Sequence, residues 1–102
     1  MAAKKQQSLI GQYVLVGTDR TVLAAGVLTA YDVEKRTATL TEARQVLYWP
    51  REARGAFGVA ARGVPSGGRV SPAVPRAEVL GVTGVLACTS EAQRSIEAEP
   101  WS

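Results

Sequence analysis

With 102 residues, 46% of them apolar, and a mean hydropathy near zero, the chain can build one modest hydrophobic core, and no apolar run approaches the roughly 18 residues of a membrane span. It has no histidine and one cysteine, Cys88, which excludes an internal disulfide, a zinc site of the usual nitrogen and sulfur type, and histidine-based acid–base or triad chemistry. A net charge of +3 is compatible with an anionic partner and equally with an ordinary soluble surface.

The first eleven residues read as a short basic arm carrying Lys4 and Lys5. No apolar segment follows the polar start, so it does not read as a secretory signal, and the expected compartment is the reducing cytoplasm. Tyr13, Val14, Leu15 and Val16 form a first strand, closed by Gly17 and the Thr18-Asp19 turn. A second strand runs over residues 21–31, and both of its alternating sets are apolar. Gly26 in its middle permits the sharp bend by which a long strand passes between the faces of a small barrel. Polar residues 32–36 make a turn into a third strand, where Thr37, Thr39 and Thr41 alternate with Ala38 and Leu40 and leave one face wet. Residues 45–49 read as a separate fourth strand, stopped by Pro50.

Between Pro50 and Pro75 five glycines and two further prolines, Pro65 and Pro72, interrupt every periodicity, which predicts an excursion over residues 50–76 with one helical turn near 56–61. Residues 78–88 resume as a bent strand or two short ones around Gly81 and Gly84. Ser90 and Gln93 match a capping box, predicting a helix over 91–98 with Ala92, Ser95 and Ile96 on one face, ended by Pro100, with Trp101 folded back on the core. The chain therefore divides into a basic arm (1–11), a β-barrel domain with its excursion (12–88) and a C-terminal helix and tail (89–102). The expected fold is mainly β, a small antiparallel SH3-like or Sm-like barrel with a glycine-rich excursion and a short C-terminal helix.

The residues singled out for function are Arg44, Tyr48, Trp49, Arg51 and Arg54, because guanidinium groups beside aromatic faces suit stacking on a base or nucleotide. As strand neighbours, Tyr48 and Trp49 point to opposite faces, so at most one can enter the core. From Arg51 to Arg76 five arginines stand against Glu52, a net +4 suited to phosphate or to an acidic neighbour. The carboxylates form no diagnostic pair, and Gly67-Gly68 matches no nucleotide-binding loop, so the chain reads as a non-enzyme with no cofactor and no metal. Cys88 follows an apolar strand and reads as a small hydrophobe.

Gly26-Val27-Leu28 followed by Tyr31-Asp32 and a late apolar strand resembles the small barrels of the Sm-like and SH3-like type over residues 12–88. In Sm-like proteins such barrels join edge to edge into RNA-binding rings; a second Sm signature is lacking, so no RNA-binding residue is carried over. Over almost its whole length the chain also resembles a family of small phage- and prophage-encoded proteins of unknown function. That resemblance is carried by Tyr13-Val14-Leu15-Val16, Ala25-Gly26-Val27-Leu28, Ala43-Arg44-Gln45-Val46-Leu47-Tyr48-Trp49, Gly63-Val64, Val79-Leu80, Thr89-Ser90-Glu91-Ala92, Ser95-Ile96 and Pro100-Trp101. It implies a viral accessory protein in the host cytoplasm or in the virion. The expected function is capture of a host component, a nucleotide-like ligand or a protein, by a homo-oligomer. The alternatives are a structural virion component and a nucleic-acid-binding ring.

Overall fold

In a computed structural model, which describes residues 9–19 and 22–99, strand β1 (Tyr13–Thr18) lies between two hydrophobic cores. Tyr13 and Leu15 enter one core and Val14 and Val16 the other, which is why four consecutive apolar side chains are all buried. Strand β2 (Leu23–Asp32) repeats the pattern, with Leu23 and Ala25 in the first core and Ala24 and Leu28 in the second. The two apolar sets of the second run thus each have a separate destination. The expected arm reaches the described residues only at its end, where Leu9 packs on the second core; Lys4 and Lys5 lie outside them, as do Pro100 and Trp101.

Strand β3 (Thr37–Tyr48) corrects one expectation: residues 37–41 and 45–48 are one continuous strand, so three strands precede Pro50, not four. The join is a bulge. Ala25 opposes Arg44 while Val27 opposes Thr41, so β3 carries one residue more than β2 here, and Glu42, at φ 50°, accommodates it. Gly26 faces this crossing, and any Cβ there would sit 2.8 Å from the Thr41 carbonyl oxygen. Beyond the bulge β3 changes layers: Ala38, Leu40 and Ala43 belong to the second core, Val46 to the first.

The excursion is more ordered than its glycines suggest. A 3₁₀ turn at Arg51–Ala53 leads into helix α1 (Gly55–Arg62), then β4 (Arg69–Val70) pairs with the end of β3, and β5 (Val74–Leu80) begins four residues before the expected Glu78. Pro75 is tolerated inside β5 because its neighbours Val74 and Arg76 pair with Ala43 and Thr41, leaving Pro75 opposite the bulge. Gly81 (φ 72°) then turns the chain directly into β6 (Val82–Ala87), so residues 78–88 are two strands. The sheet order is β4-β3-β2-β1-β6, with β5 on the other half of β3. The corner is held to the barrel by the Asp19 amide donating to the Gly81 carbonyl (3.0 Å) and the Val82 amide donating to that of Arg36 (2.9 Å).

Helix α2 (Ser90–Glu97) starts one residue earlier than expected, because its cap is Thr89 and not Ser90. The Thr89 hydroxyl accepts from the Ala92 amide (3.0 Å) and donates to the Ala61 carbonyl (2.7 Å), so one side chain both caps α2 and ties it to α1. Ala92 and Ile96 are fully buried, and Ser95 bonds the Val64 amide (2.9 Å), as the shared face of these three residues requires. Together α1 and α2 cover the first core. Among the described residues no helix is long and apolar enough to cross a membrane.

Cys88 follows β6 beside the first core, its amide donating to the Tyr13 carbonyl (3.0 Å), and burial pushes its thiol from 9.0 up to about 11. At pH 8 that shift lowers the thiolate fraction about a hundredfold. Iodoacetamide is therefore expected to label native protein at least about tenfold more slowly than urea-unfolded protein, as followed by intact mass; equal rates would refute the burial. Because the folded thiol is the weaker acid, its contribution to stability is complete below pH 9.0 and is lost as the pH rises through about 11.

Candidate functional site

The sequence cluster is divided by the fold. Arg44 leaves β3 toward the end of α2, where its guanidinium donates to the Glu99 carboxylate at 2.6 Å; its side chain is only 14% exposed. It also lines an apolar cavity of about 340 Å³ between β3 and β5, with Val22, Val74 and Val79. Close to this pair the Tyr13 hydroxyl is buried with no hydrogen-bond partner among the described residues. Burial first, and then the charge of Glu97, push that phenol up to about 12, while Arg44 pulls it down. Arg44 thus ties β3 to the segment that follows α2.

Tyr48 and Trp49 diverge, Tyr48 as the last residue of β3 and Trp49 just beyond it. Tyr48, in the last turn of the pleat opposite Arg69 of β4, is 53% exposed. Trp49 turns inward, half-buried against the first core, with Leu23 and Ala56 beside it. Arg51 and Arg54 are both exposed, Arg51 opening the 3₁₀ turn and Arg54 following it. Arg54, left-handed at φ 66°, is the residue that redirects the chain into α1.

This redirection creates a grouping the sequence reading did not contain. Arg54 lines a groove of about 290 Å³ together with Ala53, Phe57, Gly58, Ala61 and Arg62. Phe57, the chain's sole phenylalanine, is 76% exposed there. Its spacing from Arg54 and Ala61, three and four residues, is the helical signal in the sequence that groups them. Arg54 and Arg62 take part in none of the ion pairs between described residues, which join Arg36 to Asp19, Arg44 to Glu99 and Arg76 to Glu78. Among the described residues no group of three or more acidic or cysteine side chains is arranged to hold a metal ion.

The barrel has solved counterparts. A heptameric archaeal Sm protein aligns with a TM-score of 0.56 over 84% of this chain and 98% of its own, at 18% identity. The SmAP1 heptamer of P. aerophilum aligns with a TM-score of 0.57 over 86% of this chain and 93% of its own, also at 18% identity. At such identity the likeness establishes the fold, a small Sm-like barrel with a short C-terminal helix. No curated protein matches the sequence. Residues 11–96 match the domain of unknown function DUF6948, and the chain belongs to that family.

Proposed function

We propose that the protein is a non-enzymatic accessory protein that closes into a homo-oligomer and captures an anionic host component on its basic, aromatic surface. The observation that carries this reading is a pair of open strand edges. β5 pairs only with β3 and β6 only with β1 among the described residues, and the single residue between them, Gly81, is too short a link for a hairpin. Each strand therefore keeps one row of backbone donors and acceptors outward, and the β5 edge of one copy can pair with the β6 edge of the next. Repeating that head-to-tail contact closes a ring when the rotation permits. Val74 and Leu80, 48% and 67% exposed on β5, supply apolar surface beside the edge. The named heptamers of similar fold support this assembly mode. The resemblance to phage-encoded proteins supports a place in an infected cell.

Native mass spectrometry of the purified full chain tests the assembly. Wild-type protein is expected as a closed oligomer, and Leu80→Asp, which places a charge on an exposed edge position, as a folded monomer. A monomeric wild type would overturn the ring. Detection of the protein in purified virions would replace capture with a structural role in the particle.

A further inference from the structure

Helix α1 turns its small residues inward and its largest side chain outward. Val59 and Ala60 anchor it to the first core, while Phe57 stands in solvent, where an aromatic ring gains nothing from burial. Around that ring the groove floor is Ala53, Gly58 and Ala61, none larger than a methyl group, so a planar group can lie flat against Phe57. Arg54 and Arg62 stand at the margins, and Arg51 is exposed just ahead of them.

We infer that this groove is a binding site for a free nucleoside polyphosphate, with the base stacked on Phe57 and the phosphates held by Arg54 and Arg62. The proposal rests on the capture reading above and names its ligand. The ratio of charge to ring selects the class. A single strand presents one phosphate per base and is held along a row of stacking platforms. This groove offers one ring and two guanidiniums, the complement of one base carrying several phosphates. Its volume of about 290 Å³ lies just below the roughly 300 to 1,000 Å³ of ligand sites, which leaves room for one base and not for a run of them. An acidic peptide would satisfy the arginines and leave the Phe57 face without a flat partner.

Titration calorimetry of the full chain with ATP, AMP, adenosine and a ten-residue oligothymidylate tests this. ATP is expected to bind more tightly than AMP, and adenosine more weakly than either, with affinity falling as salt rises. Phe57→Ala is expected to weaken ATP about tenfold or more, with no change in thermal stability because the ring is exposed. Arg54→Ala with Arg62→Ala is expected to abolish the preference of ATP over AMP. Absence of ATP binding, unchanged affinity in Phe57→Ala, or tighter binding of the oligothymidylate would each overturn the site. The groove lies within one chain, so Leu80→Asp is expected to retain ATP. An intact ring that ignores ATP removes this inference alone, and a wild-type monomer that binds ATP removes only the ring.

Discussion

Gly58→Ala is expected to lower the stability of the protein by about 3 kcal/mol, although the same exchange in an ordinary helix interior raises it by about 1 kcal/mol. The reversal comes from what stands beside the helix. A Cβ built on Gly58 would run into the carbonyl group of Ala53 and crowd the Cβ of Arg54, both belonging to the 3₁₀ corner that precedes α1. A flexible side chain could swing away from such a contact; a backbone carbonyl cannot. Relief therefore requires α1 to shift as a body, drawing Val59 and Ala60 away from the core they share with Leu15 and Ile96. Urea unfolding reads the outcome directly. With m near 1–3 kcal/mol per molar for small domains, the midpoint is expected to fall by on the order of 2 M. A midpoint that rises would mean the corner yields freely and helix propensity decides.

Legibility from sequence follows the range over which each feature is determined. The two apolar sets of β2, the turn after Asp32 and the face of α2 formed by Ala92, Ser95 and Ile96 are local patterns, and each has the place its pattern implies. The continuity of β3 was hidden because its bulge residue is Glu42, a side chain that seldom marks positive φ. The early start of β5 was hidden because Pro75 reads as a breaker unless the unpaired position opposite it is known. The surroundings of the candidate site were hidden for a similar reason. Arg44 neighbours Tyr48 in sequence, yet its partner Glu99 lies 55 residues away, and only the packing of α2 brings the two into contact. Phe57 was passed over because the glycines flanking it obscured a helix whose stability comes from Val59, Ala60 and the Thr89 bond to Ala61.

The most damaging single exchange is expected at Gly26. Valine there is favoured over glycine by strand propensity, a difference of up to about 1 kcal/mol. Against that gain, the added Cβ would stand 2.8 Å from the Thr41 carbonyl oxygen, 3.2 Å from the Ala43 Cα and 3.2 Å from the Leu40 Cβ. Two of those three neighbours are backbone, and Gly26 pairs on its other side with Val14, so β2 has no free direction in which to retreat. The bulge at Glu42 exists because β3 must cross from the second core to the first at this point, and a displaced β3 loses Leu40 from one core or Val46 from the other. We expect Gly26→Val to cost about 4 kcal/mol, a large part of the roughly 5–15 kcal/mol that stabilises a domain of this size, and to lower Tm by roughly 15 °C or more. Gly26→Ala brings the same Cβ without the γ carbons and is expected to fall between wild type and valine. That ordering separates the two physical causes. If close approach at the crossing governs the position, stability declines from glycine through alanine to valine; if strand propensity governs it, valine is the most stable of the three and the close packing of β2 on β3 is refuted.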